Sequence, residues 1–443
     1  MKGNGWRTLA GIVMLSTTVS GLAFMAAPAL AQALKDWKCT GDTDIPWAEQ
    51  VVGCSNAIDS EKLTGEHLAA AFNNRGGAYG ATGDLDHALT DFNQAISVDP
   101  NAAFAYQGRA NLFFFKKDYD HAITDYNEAI RLDPKFARAL NGRGNAYQAK
   151  GDLDRAISDF DQAIRLDPNY AVAFRNRGNA YLAKGDLDRA ITDYGEAIRL
   201  NPKDVLAFDR RGYVYQLKGD LDRAITDYSE AIRLNPKDVS AFDHRGYVYQ
   251  LKGDLDRAIA DDSEAIRLNP KDVMAFNNRG LAYQGKDDID HAFADFDQAI
   301  RLDPKDPAAF NNRGLIYQAK DDLGRAIADY DQAIRLDPTN ISAFNNRGRA
   351  YQEMKDCERA IADYSEAIRL APKFAVAFNN RGNAYQAKGD LDRAIADFDQ
   401  AIWFAPGYAF AFHGRGIAYQ ARASLTAPSP TSTKRSGSIL NTD

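Results

Sequence analysis

The residues best suited to chemistry are few, and their placing argues against catalysis. Six histidines are scattered along the 443-residue chain. His87, His121 and His291 share one register of a recurring segment in which most copies carry Arg, which marks a solvated helix face rather than a metal cluster. No His/Cys ligand spacing, phosphate-cradling glycine loop or nucleophile elbow stands out. Asp-x-Asp pairs such as Asp152/Asp154 and Asp186/Asp188 recur, but a calcium loop needs more ligands than that in one loop. They read as helix caps and solvating groups. Of the three cysteines, Cys357 stands in a register otherwise filled by Leu, Ile or Tyr, which predicts a core thiol. The chain is read as non-enzymatic, with no cofactor and no metal.

The chemistry-bearing types are organised by a repeat instead. Pro100, Pro134, Pro168 and onward to Pro406 recur every 34 residues, and Arg75, Arg109, Arg143 and onward to Arg415 keep the same step. Ten repeats therefore run over 69–408, with a half repeat over 409–422. Positions within a repeat are counted from 1 at Ala69, Ala103 and Ala137. In the third repeat, Leu140, Gly144 and Tyr147 lie on one face of a first helix. Gly151 breaks that helix and Asp152 caps the next. Ala156, Phe160, Ala163 and Ile164 form the apolar face of a second helix, and Pro168 ends it. A single hairpin of this kind cannot bury its own face, so neighbours must stack.

Small residues recur where helices approach: Ala at positions 20 and 27, and Gly at position 8 except for Ala110. Large residues recur opposite them, such as Phe174 at position 4 and Tyr181 at position 11. Position 7 is Arg in every unit and position 23 is Asp in all ten repeats. In a hairpin turning near position 15 these two positions face each other, which predicts an ion pair such as Arg143–Asp159. The alternative is two separately solvated charges. Position 24 is Phe or Tyr except at Asp262, which predicts a loosened hairpin, or a hinge, in repeat six.

The large-residue, Gly, Tyr, Ala, aromatic, Ala, Pro pattern at positions 4, 8, 11, 20, 24, 27 and 32 resembles the tetratricopeptide-repeat family. The resemblance implies an all-α, right-handed superhelical solenoid of antiparallel helix pairs. It also implies a concave groove, lined by positions 2, 5, 6, 9, 12 and 13 of the first helices, that binds protein segments. On this face Asn141, Asn145, Asn176 and Asn179 offer amides to an extended backbone, unless they serve only to solubilise the helix. Repeats five and six differ, with an acidic and aromatic strip of Asp209, Tyr213, Asp243 and Tyr247 beside Arg210. Some members of the family clamp a C-terminal carboxylate with two Lys, two Asn and an Arg. Asn145, Asn176 and Arg210 match that set, but Asn141 and Leu206 stand in place of the lysines, which removes most of the charge-assisted binding.

The ends lie outside this register. Residues 1–31 resemble an export signal, with basic Lys2 and Arg7, an apolar stretch and a small-x-small exit at Ala29-Leu30-Ala31. An uncleaved membrane anchor is the competing reading. Residues 32–68 read as an N-terminal capping segment, where an oxidising compartment would permit a Cys39–Cys54 disulfide. Residues 409–422 read as a C-terminal capping helix and 423–443 as a disordered tail. A net charge of -7 argues against nucleic acid as a partner. The expected partners are other proteins, in the periplasm or outside the cell, with no membrane insertion once the signal is cleaved. Self-association in an envelope structure is the alternative function.

Overall fold

The computed structural model describes residues 37–41 and 44–426, so the expected signal segment and most of the expected tail lie outside the described residues. Two compact units divide at Pro236/Lys237. The first contains α1 (Trp47–Asp59), α2 (Gly65–Thr82), α3 (Leu85–Val98), α4 (Ala103–Phe115), α5 (Tyr119–Leu132), α6 (Ala137–Ala149), α7 (Leu153–Leu166), α8 (Ala171–Lys184), α9 (Leu187–Leu200), α10 (Val205–Leu217) and α11 (Leu221–Leu234). The second contains α12 (Val239–Leu251), α13 (Leu255–Leu268), α14 (Val273–Gly285), α15 (Ile289–Leu302), α16 (Pro307–Ala319), α17 (Leu323–Leu336), α18 (Ile341–Glu353), α19 (Cys357–Leu370), α20 (Ala375–Ala387), α21 (Leu391–Phe404) and α22 (Ala409–Thr426). Among the described residues there is no strand, and the fold is of the all-α superhelical repeat class. Within each unit a helix packs on the next in sequence, and first helices also pack on the first helices of neighbouring repeats.

Helix ends follow from the residues at them. Asp152 accepts a hydrogen bond from the Arg155 backbone N–H at 3.2 Å, and the same cap opens the second helix of every repeat. The second Asp of that pair reaches across repeats, as Asp154 does to Lys184 Nζ at 2.5 Å. The turn between helices needs a left-handed residue. Gly151 supplies it with φ 82°, whereas Lys117, Asp287, Asp321 and Lys355 adopt it with φ of 60–63°. Two boundaries differ from the sequence expectation. The first helix of repeat one starts at Gly65, a turn before Ala69, and the terminal helix continues to Thr426, beyond Arg422. Cys357 is a free thiol at the start of α19 and is only half-buried, because its register opens a helix at the hairpin turn rather than lying mid-core.

Alanines at positions 20 and 27 are fully buried throughout, and except in repeats two and six the position-24 ring lies under the glycine of position 8. A Cβ added to Gly144 would stand 2.7 Å from the Phe160 ring. The Arg–Asp pair is present in all ten repeats. In repeat three, Arg143 Nε donates to Asp159 Oδ2 at 2.8 Å and Nη2 to Oδ1 at 2.7 Å. Its Nη1 donates to Asn127 Oδ1 at 2.7 Å in the preceding repeat, so one guanidinium ties two hairpins together. Arg177 does the same between Asp193 and Asp161 while lying near the Phe174 and Tyr181 rings. Its bonds to Asp193 hold Arg177 well above its ordinary pKa. Burial pushes the Asp193 carboxyl upward while Arg177 pulls it down, and the bidentate geometry is that of two charged partners.

Truncating one member leaves a mostly buried charge. Asp159→Ala should therefore cost about 3 kcal/mol, at the low end for a buried pair because the guanidinium keeps some solvent. Hydrogen exchange across α6 and α7 checks this. An Arg143→Met/Asp159→Leu double variant should recover most of the loss, and protection unchanged in the single variant would contradict the role assigned to the pair.

Candidate functional site

Within the first unit, the first helices line a cleft of about 570 Å³. Its walls are built from the registers expected of a groove: Phe104 and Arg138 at position 2, Gln107 and Asn141 at position 5, Asn111 and Asn145 at position 9, and Phe114 and Phe115 at positions 12 and 13. Position 6 decides its floor. Gly108 and Gly142 stand there where most repeats carry Asn, and without side chains they let rings of the preceding second helix reach the cleft. A Cβ on Gly142 would lie 2.5 Å from the Tyr126 ring, and one on Gly108 would lie 2.5 Å from Phe92. Tyr126 donates its hydroxyl proton to Asn111 Oδ1 at 2.6 Å. Burial raises the Tyr126 and Tyr170 hydroxyls above their ordinary pKa, so both stay neutral donors.

The cleft is amide-rich and aromatic, and Arg138 and Asp167 are the charged side chains in its lining. Asn73 is buried in it, and its Oδ1 has no hydrogen-bond partner. The N-terminal end is closed by the segment around the Cys39–Cys54 disulfide, which spans 4.7 Å between Cα atoms. Asn74 Nδ2 donates to the Cys39 carbonyl at 3.0 Å, and Gly41 and Trp47 join the lining. Gly53 is obligatory in that cap, since a Cβ there would lie 1.9 Å from the Trp37 carbonyl oxygen.

The sequence-selected residues are not gathered into one site. Asn141 and Asn145 line the cleft. Asn176 follows on α8 and donates to Asn141 Oδ1 at 3.0 Å, so part of the amide capacity is spent as a strut between repeats. The same strut recurs from Asn346 to Asn311 and from Asn380 to Asn345. Asn179 Oδ1 accepts the Tyr194 hydroxyl at 2.8 Å. Asp209, Arg210 and Tyr213 lie on α10, with Asp209 buried and Arg210 Nε 4.0 Å from it. Asp243 and Tyr247 belong to the second unit, where Asp243 is buried and Tyr247 exposed. Phe114 and Phe115 are cleft residues beyond the sequence expectation, and their signal is legible: most repeats have Gln at position 12 and Ala or Leu at position 13.

Repeat six carries a second polar anomaly. Asp262 replaces the ring under Gly246 and is 1% exposed, and Asp243 packs nearby on α12. One oxygen of each carboxyl lacks a hydrogen-bond partner. The hairpin itself is retained, with Arg245 holding Asp261 at 2.7 and 2.8 Å. Burial, then repulsion from Asp243 and Asp261, pushes the Asp262 carboxyl up to about 9, with Arg279 opposing and Asp295 adding to the rise. Burial and Asp272 push Asp243 up to about 8. Among the described residues, no group of three or more His, Cys, Asp or Glu side chains is arranged to hold a metal ion.

Stacked antiparallel helix pairs, with a cleft built from their first helices, define a helical-repeat binding scaffold. Family models described as TPR repeat match residues 110–151, 144–185, 178–219, 212–253, 246–287, 319–355 and 353–389. Models described as tetratricopeptide repeat match 69–102, 275–306, 296–328 and 375–408. The chain belongs to the tetratricopeptide-repeat family, whose members mediate protein–protein interaction and whose fold is typically a non-enzymatic scaffold. Among solved structures, the APC/C hetero-tetramer Cut9–Hcn1 is similar at 14% identity, covering 88% of this chain and 95% of that one, with a TM-score of 0.50. A tetratricopeptide repeat protein from Parabacteroides merdae ATCC 43184 is 22% identical, covering 56% of this chain and 98% of its own, with a TM-score of 0.48. The comparison with curated proteins gave no match.

The Asp262 carboxyl makes a signed prediction. In the unfolded chain it ionises near pH 4, whereas the folded chain holds its proton up to about pH 9. Between those values the unfolded state has released a proton that the native state keeps, so stability falls as pH rises. Asp262→Phe should remove the Asp262 share of that slope, leaving the part due to buried Asp243, and stabilise repeat six by about 2–3 kcal/mol near neutral pH. Denaturant titrations from pH 4 to pH 9 check both expectations.

Proposed function

We propose that the chain is a non-enzymatic interaction scaffold whose N-terminal cleft holds an extended, largely uncharged and apolar segment of a partner protein. The observation that carries this reading is the lining: aromatic walls at Phe104, Phe114 and Phe115, neighbouring amides, and very little charge. An apolar side chain gains by leaving water against those rings. Backbone N–H and C=O groups of an extended peptide suit carboxamides, and the orphaned Asn73 Oδ1 suits a donor. A carboxylate-clamping role fits less well, because Asn141 and Leu206 supply no cation.

The proposal extends to compartment. The basic and apolar character of residues 1–31 and the Cys39–Cys54 disulfide both support an exported chain in an oxidising space. The disulfide then has a binding role as well, since it anchors the segment that closes one end of the cleft. Among the described residues no helix is long and apolar enough to cross a membrane.

Fluorescence anisotropy with a panel of labelled extended peptides tests the cleft. Uncharged apolar peptides should bind in preference to acidic or basic ones of the same length. Phe115→Asp, at a partly exposed position, should weaken them about tenfold, the equivalent of about 1.4 kcal/mol. Reduction of the disulfide should weaken them as well. Equal binding of charged peptides, or indifference to Phe115→Asp, would refute the assignment. For location, alkylation in intact cells should label Cys357 and spare Cys39 and Cys54, and labelling of all three would count against export.

A further inference from the structure

The terminal helix α22 is a first helix that packs on α21, and among the described residues no second helix of its own follows it. In complete repeats the position-8 glycine is covered by a ring: a Cβ on Gly348 would meet Tyr364 at 2.8 Å, and one on Gly382 would meet Phe398 at 2.9 Å. Gly416, in the same register, has nothing within 4 Å. Phe412 and Tyr419 are 44% and 43% exposed, whereas Phe378 and Tyr351, their counterparts in complete repeats, are each 8% exposed. Arg415 keeps the inter-repeat bond, from Nη1 to Asp399 Oδ1 at 2.6 Å. Its Nε and Nη2 have no carboxylate among the described residues, whereas those of Arg381 both go to Asp397 at 2.8 Å.

A helix that merely terminates a stack presents a polar outer face. This one presents an aromatic slot, an open glycine and half of a guanidinium fork. The residues in second-helix register after it, 425–438, include Pro428 and Pro430 and contain no Asp at all. We propose that this face docks an amphipathic helix of a partner protein carrying Ala-x-x-Asp-(Phe/Tyr)-x-x-Ala. Such a helix completes the half repeat in trans. Its aromatic residue seats over Gly416 between Phe412 and Tyr419, its Asp takes the free edge of Arg415, and its two alanines allow close approach. Charge selects against a second copy of α22 as occupant, because a two-fold pairing would bring one Arg415 towards the other. The second helices within the ten repeats are already paired with their own first helices.

The test uses the full chain and two fluorescein-labelled synthetic peptides. One has the sequence of residues 321–337, which contains Ala326, Asp329, Tyr330 and Ala333 at the required spacing. The other has the sequence of residues 253–269, in which Asp262 replaces the ring. The first should bind at a ratio of one to one and the second at least about tenfold more weakly, since the ring is a main apolar anchor. Arg415→Gln should weaken the first peptide about tenfold, and Asp329→Asn within the peptide should do the same. Gly416→Leu, which fills the slot, and Phe412→Glu, which charges its rim, should each abolish binding without altering the thermal midpoint of the chain. Equal binding of both peptides, no binding, or indifference to Arg415→Gln would overturn the proposal. So would a concentration-dependent dimer in sedimentation that Gly416→Leu disperses, since the face would then belong to a second copy.

Discussion

The structure depends on one ion pair made ten times. An Arg at position 7 meets an Asp at position 23 through a two-pronged hydrogen bond, as Arg347 and Asp363 do at 2.8 and 2.6 Å. Each hairpin is thereby pinned in register at its middle, where alanines alone would let the helices slide. In most repeats the remaining nitrogen reaches a polar side chain of the preceding second helix: Asn93 for Arg109, Asp297 for Arg313, Ser365 for Arg381. The guanidinium plane also lies near rings at positions 4 and 11, such as Phe344 and Tyr351 around Arg347. Loss of such a residue would disturb the hairpin, the interface to its neighbour and two aromatic contacts together.

Side-chain size does the rest. Where position 8 is Gly, the ring of position 24 can press an edge against the first helix, and the hairpin closes to interior density. The same device used at position 6 has a different outcome. Gly108 and Gly142 admit rings of the previous repeat towards the first-helix wall, and a periodic surface becomes a cleft with an aromatic floor. Asp262 shows the converse. A carboxyl in a ring-sized place leaves unpaired oxygens in the interior, and it persists because Arg245, Asp261 and the flanking alanines of the repeat keep the hairpin closed around it.

Periodic features were therefore legible in the sequence, because each of ten copies repeats the same evidence. Helix pairs, their caps, the Arg–Asp pairing and the registers facing the groove all follow from a period and a hairpin turn. Features that occur once were harder to weigh. Phe114 and Phe115 depart from the pattern as visibly as Tyr213 and Tyr247, yet the former build the cleft wall and the latter do not. By register Asn141 and Asn176 face a ligand, and the fold spends part of their amide capacity on each other.

By itself the sequence determined the repeating unit, since local spacing dictates which residues share a helix face and which face each other across a tight turn. Tertiary structure decided where that unit becomes a site. This cleft needs two neighbouring repeats to carry glycine at position 6 and their neighbours to wall it, and the distances between levels are set by packing between hairpins, which no single period contains. It also decided which apolar faces remain uncovered. Phe412 and Phe378 read alike in sequence, and only the presence or absence of a neighbouring helix separates a buried ring from an exposed one.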